Sequence, residues 1–311
     1  MTTTLSQPSP AQDNFISLRD VPDNTRKRKR TNRIYTGILG FAAYLACIPL
    51  LLIVGSVVWQ GVQVLTPSFF LTDPMTARSS DGGFRVGFVG TFYIMFLAVP
   101  MTLLVGISTA IYLTEYGRGK IASLVRFVTD IMTGVPSIFV GLFVYAVLVI
   151  GTSGAGFGLG FGTFVGAVAI AIMMLPIVIR SSEEMLKLVP LNLRSAAFGL
   201  GARRYQTVFR VVIPAAGPGL ITTAMLAIAR GIGETAPLLL TVFGATHMTL
   251  AFQGDPQGAL PLLIHNNAVQ PFDEGQMRAW GGALSLIIVC LLLTVSGKIY
   301  SRRRSKLHNN G

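Results

Sequence analysis

Six long apolar stretches, at about 37–59, 88–113, 127–151, 159–179, 219–244 and 280–300, are separated by polar segments. About 20 residues of helix cross a bilayer, so each run is long enough to span. None shows the two-residue alternation of a barrel strand, and helices are the other way to satisfy a backbone in lipid. The pattern predicts an all-α integral membrane protein with six transmembrane helices, surrounded by membrane lipid. The third run is interrupted by Asp130 and Pro136. Ahead of the first run, residues 1–35 are polar and carry Pro8, Pro10 and Pro22, which reads as a disordered basic cytoplasmic tail. Residues 36–301 then form the membrane domain, and 302–311 a second basic cytoplasmic tail.

Charge sets the orientation. Seven Lys and Arg precede the first run and three follow the second. Six follow the fourth and five lie at the C-terminal end, making 21 of the 25 basic residues. Arg78, Arg85 and Arg278 fall in the opposite segments. Basic residues favour the cytoplasmic side, so both termini are expected there.

Composition agrees with the hydropathy pattern. Of 311 residues, 51% are hydrophobic and 12% charged, about half the charge of a soluble domain. The net charge of +12 does not point to nucleic acid, because the basic residues flank apolar runs. The basic cluster Arg26 to Arg30 reads as a solvated anchor, and its distance from Met1 argues against a signal peptide. Cys47 and Cys290 lie inside apolar runs and read as small buried residues. His247, His265 and His308 are scattered, so neither a metal site nor a cofactor is expected.

The fifth run is otherwise uncharged, yet contains Arg230-Gly-Ile-Gly-Glu234-Thr-Ala-Pro237. Each charge at a bilayer centre costs about 2.5–3.5 kcal/mol. Four residues apart on a helix, Arg230 and Glu234 share a face. That face looks into a polar pathway or towards a partner chain, or else the pair is a structural lock between helices. Thr235 adds a hydroxyl donor. Ala227 with Gly231, and Ala229 with Gly233, permit close helix contact, and Pro237 interrupts the helix. Asp130 and Ser137 are weaker candidates, the first as a cap or a water-facing carboxylate, the second as a hydroxyl bonding its own backbone. Gly231-Ile-Gly-Glu-Thr-Ala236 also fits a dinucleotide fingerprint, but within a membrane span the pattern carries no such meaning.

The polar segment 180–218 is too long for a turn. Pro190 and Pro214 bracket a short helix, with Gly201 permitting a sharp turn after it. Such a helix lies on the membrane surface or in the groove of another protein. Its spacing is specific: Ser195-Ala196-Ala197, three residues, Gly201, nine residues, Val211, one residue, Ile213-Pro214. This resembles the signature loop of type I ABC importer permeases, which docks into the ATPase subunit as a coupling helix. The family pattern begins with Glu, where this chain has Ser195. Arg194, Arg203 and Arg204 are then candidates for the polar contacts.

A second resemblance narrows the family. Arg230 to Leu239, together with Gly134-Val-Pro-Ser-Ile-Phe-Val-Gly-Leu-Phe143, is similar to the permeases of the phosphate-specific transport (Pst) system. The Glu-Thr-Ala-Pro ending is similar to the PstA-type rather than the PstC-type subunit. The resemblance implies a bacterial cell membrane and a heterodimer with a PstC-like permease subunit. It also implies ATP-binding PstB-like subunits, an extracytoplasmic phosphate-binding protein, and phosphate passing Arg230. No GxxxxGK[ST] occurs, so the chain is expected not to be an enzyme and to draw energy from another polypeptide. Two rivals remain: an ABC permease for another oxyanion, and a secondary transporter or channel, which would need its own coupling site.

Overall fold

The structure is a computed structural model that describes residues 24–75, 82–151 and 156–309. Twelve α-helices lie among these residues, in chain order. The chain divides into two units, Met1–Gly55 and Ser56–Gly311. The first contributes most of α1 (Asn24–Gly61), 38 residues with Pro49 inside. At 1.5 Å per residue, α1 is more than long enough to span. The tail expected over 1–35 is described only in part. Residues 1–23 lie outside the described residues, and 24–35 are already helical. No Pro or Gly separates Asn24 from Gly37, so nothing stops the helix from extending back through the basic cluster.

The second unit holds the remaining helices. A short α2 (Pro67–Leu71) precedes α3 (Arg85–Ile111), which ends in a π turn, Tyr112–Tyr116. After α4 (Lys120–Gly134) and α5 (Ser137–Val144) comes α6 (Thr163–Lys187). Two short helices, α7 (Leu191–Gly199) and α8 (Arg204–Thr207), lead through a π turn, Val208–Val212, into α9 (Ile213–Ile232). The chain closes with α10 (Ala236–Thr241), α11 (Leu260–Ala268) and α12 (Asp273–Asn309).

Five helices are long and apolar enough to cross a membrane, and a sixth span exists if α4 and the segment Ser137–Ile150 count as one. The third span is thus not a continuous helix: its halves are bent by 107°. Val135 precedes Pro136, whose ring drives its predecessor out of the helical region, and Val135 is extended with ψ 127°. The fifth apolar run, 219–244, is not one helix either. α9 stops at Ile232, and α10 begins after three intervening residues, with Pro237 in its first turn. Pro237 has no N–H to donate back to the preceding turn, and the flanking glycines weaken the helix. α12 runs past its apolar run, so the backbone of 302–309 is helical where a separate tail was expected.

Relative helix directions follow from who meets whom. Thr102 Oγ1 reaches the Ala171 carbonyl and Gly106 abuts Val178, so α3 and α6 run parallel. Gly231 abuts Met174 and Gly219 abuts Met185, so α9 runs antiparallel to α6. α12 in turn runs antiparallel to α9, with Cys290 at the Ala229 carbonyl and Ser301 at that of Pro218. These directions match alternating spans. The main core lies between α3, α6, α9 and α10, around Ile94, Ala98, Ile170, Met174, Ala227 and Leu238.

Candidate functional site

Arg230 occupies the last turn of α9. Its neighbour Gly231 abuts Met174, midway along α6, so the cation sits near the mid-depth of the bundle. The helix end is closed by Gly233 N–H donating to the Arg230 carbonyl at 3.1 Å and Glu234 N–H to that of Gly231 at 3.3 Å. Glu234 and Thr235 therefore lie in the break between α9 and α10, not on a continuous helix face. The pairing expected from their spacing survives the break. Arg230 Nε is 3.3 Å from Glu234 Oε1, with the arginine side chain 57% exposed and the carboxylate only 14%. Lipid offers a guanidinium no acceptor, so this exposed side needs water, an anion or another chain against it.

Thr235 is the residue before α10, and its carbonyl accepts the Leu239 N–H at 3.2 Å. Ser137 opens α5 directly after Pro136, at the other break. The two broken segments pack together. A Cβ at Gly141 of α5 would stand 2.6 Å from Pro237 Cα, so only glycine permits this approach. Gly141→Val is expected to destabilise the protein by about 1–3 kcal/mol, the usual cost of overpacking. A lowered Tm of the detergent-solubilised protein checks this, and an unchanged Tm contradicts it. Asp130 lies apart from Arg230. It faces Arg180 across α4 and α6, with 3.7 Å between Oδ1 and Nη2.

The second candidate region is the segment between α6 and α9. It is shorter than 180–218, because α6 continues through Lys187 and the π turn into α9 begins at Val208. The short helix anticipated between the prolines is α7, and Gly201 makes the sharp turn with φ +82°. No residue of α7 is buried. Ser195 and Ala196 are exposed, Ala197 is half-buried, and Leu200 stands 90% exposed. Pro214 sits in the first turn of α9.

Two of the three arginines expected to make the polar contacts bond to the end of α3 within this chain. Arg194 Nη1 lies 3.0 Å from Glu115 Oε1, and its Nη2 donates to the Leu186 carbonyl at 2.7 Å. Arg204 donates to the Glu115 carbonyl and lies over the Tyr116 ring, 4.9 Å from its centre. Arg203 is exposed, and its backbone N–H donates to Gln206 Oε1 at 2.8 Å. Sequence reading missed Glu115, Arg126 and Glu183. Arg126 Nε donates to Glu183 Oε1 at 2.9 Å, and Lys187 Nζ lies 2.7 Å from the same oxygen. The available signal was acidic residues at the ends of apolar runs two and four, where a lone carboxylate needs a cation.

A family of transport proteins shares this arrangement. Residues 102–306 match the model of the binding-protein-dependent transport system inner membrane component. The chain is 34% identical over 290 residues to phosphate transport system permease protein PstA 1 of Mycobacterium tuberculosis, covering 91% of this chain and 92% of the relative. The chain belongs to the PstA branch of the binding-protein-dependent permeases. PstA of Xylella fastidiosa is 39% identical over 219 residues, covering 70% and 74%, and PstA of Haemophilus influenzae 32% over 278, covering 89% and 96%. Among solved structures, an inward-facing MetNI methionine ABC transporter superposes with a TM-score of 0.59 at 18% identity, covering 71% of this permease and 95% of that chain. A bacterial alginate ABC transporter superposes with a TM-score of 0.59 at 14% identity, covering 89% and 96%. These likenesses establish the type I ABC importer permease fold, and with it an integral membrane protein. Both breaks, at Pro136 and at 233–235, fall within the matched region of the permease.

Proposed function

We propose that this permease is one half of the translocation path of an ATP-driven importer of inorganic phosphate. The relatives named above are phosphate transport permeases. The observation that carries the reading is Arg230, a half-exposed cation at mid-depth beside a helix break. A guanidinium presents a rigid fork of donors matched to a tetrahedral oxyanion. Thr235 adds a hydroxyl. Glu234 cannot attract a dianion. It holds Arg230 until substrate arrives and then accepts from a protonated phosphate oxygen. Fully ionised sulfate carries no such proton, so the carboxylate disfavours it.

Within this reading both termini are cytoplasmic, and 1–35 and 302–311 flank the membrane domain. A PstC-like subunit covers the exposed side of Arg230 and completes the path. PstB-like ATPases dock on α7 and the Gly201 turn, through Ser195, Ala196, Ala197 and Arg203, because the permease has no ATPase site of its own. An extracytoplasmic binding protein delivers phosphate. Closure of the ATPases moves the segment 188–207, and α9 carries that motion from Pro214 to Arg230.

Cells lacking this gene are expected to lose high-affinity phosphate uptake and to recover it on complementation. Recovery that persists without the ATPase subunit contradicts the reading and favours a secondary transporter. Glu234→Gln is expected to narrow the preference for phosphate over sulfate, measured by competition in the same uptake assay. Unchanged competition by sulfate removes the selectivity role assigned to the carboxylate.

A further inference from the structure

The ATPase-docking segment is covalently continuous with α6 before it and α9 after it. Its side chains add a third attachment, to the end of α3. Glu115 lies in the π turn that closes α3, and both members of its ion pair with Arg194 are largely withdrawn from solvent, at 9% and 16% exposure. The contact is one of charge and distance, without the alignment of a hydrogen bond. Arg204 adds two holds on the same turn, the Glu115 carbonyl and the Tyr116 ring. The last carbonyls of a helix carry partial negative charge and accept from arginine. Arg126 of α4 uses the same device two residues earlier in that turn, donating from Nη2 to the Leu113 carbonyl at 2.8 Å.

Three consequences follow from this placement. First, α7 and α8 both hold the same π turn, so a pull on the segment is felt by α3 as well as by α6 and α9. Second, α3 packs along α6 within the core, and Met95 of α3 lies beside Gly231, next to Arg230. Third, π turns are rare and recur at functional sites. We propose that Glu115, gripped by Arg194 and Arg204, is the joint through which the docking segment moves α3, and that it is a positioning residue for transport. The joint rests on the reading of 188–207 as the ATPase-docking segment.

The test uses the complete transporter, with both permease subunits, the ATPases and the binding protein, in phosphate-loaded assays on proteoliposomes. Glu115→Gln, Arg194→Gln and the exchange Glu115→Arg with Arg194→Glu are compared with Leu200→Asp on the exposed docking face. Three quantities are read: ATPase subunit retained, ATP hydrolysed, and phosphate accumulated per ATP. Both Gln variants are expected to keep the ATPase subunit and hydrolyse ATP, while phosphate per ATP falls about 10-fold, inside the range of ordinary coupling free energies. The exchange restores the ratio. A ratio close to that of the parent in both Gln variants overturns the joint. Loss of the ATPase subunit or a lowered Tm in them overturns it too, since a purely structural pair behaves that way, as does an exchange that restores nothing. The docking reading fails separately, if Leu200→Asp keeps both the ATPase subunit and uptake.

Discussion

Arg230→Gln is expected to abolish phosphate uptake while leaving the transporter assembled. Glutamine keeps a hydrogen-bonding head of similar reach but loses the charge and the fork. In the proposed path the desolvated pair is Arg230 with phosphate, and removing one partner of such a pair costs about 2–5 kcal/mol, which is at least ~30-fold in rate. The fold loses little, because the arginine side chain is 57% exposed and its one ion pair is with Glu234. Exposed pairs contribute about 0–1 kcal/mol. A structural lock predicts the opposite division: lower Tm, with uptake reduced only in proportion to lost protein. Uptake normalised to transporter content, alongside Tm, separates the two. Arg230→Lys sharpens the comparison, since it keeps the charge and loses the fork. Recovery with lysine assigns the effect to charge, and continued loss assigns it to bidentate geometry.

The second large effect is expected at the docking face. Leu200 projects past the end of α7 and is 90% exposed, so changing it leaves the permease's own packing untouched. Aspartate there places a charge against the ATPase groove. Central apolar contacts of an interface are worth about 2–4 kcal/mol, or roughly 30- to 1000-fold in affinity. Leu200→Asp is expected to release the ATPase subunit during purification and to stop uptake. A stable permease that still co-purifies the ATPase removes α7 and the Gly201 turn from the docking surface.

Much of this architecture was legible in the amino-acid order. Hydropathy located every span, because lipid imposes a length and polarity that no local preference overrides. Pro190, Gly201 and Pro214 bracketed α7 for reasons of backbone geometry that hold in any context. The pair Arg230 and Glu234 stood out because charge is costly where it sits. The breaks were less legible. Pro136 and Pro237 were visible as interruptions, but proline occurs in spanning helices with and without a sharp bend. Pro49, Pro100 and Pro176 all lie inside continuous helices here. What differs at Pro136 is the extended residue before it, and at Pro237 the glycines before it. That Arg194 and Arg204 bond to the end of α3 was not legible at all. Their acceptors, Glu115 and the turn around it, lie some 80 to 90 residues earlier in the chain, and no periodicity connects them.

The central claim is an ATP-driven path for phosphate that passes Arg230. The most direct measurement is phosphate accumulation in proteoliposomes holding the complete transporter, with ATP supplied on the docking side and binding protein on the other. Accumulation is expected to require ATP, to resist excess sulfate, and to vanish with Arg230→Gln while ATP hydrolysis persists. Equal uptake without ATP, or full uptake by the Arg230→Gln transporter, contradicts the claim.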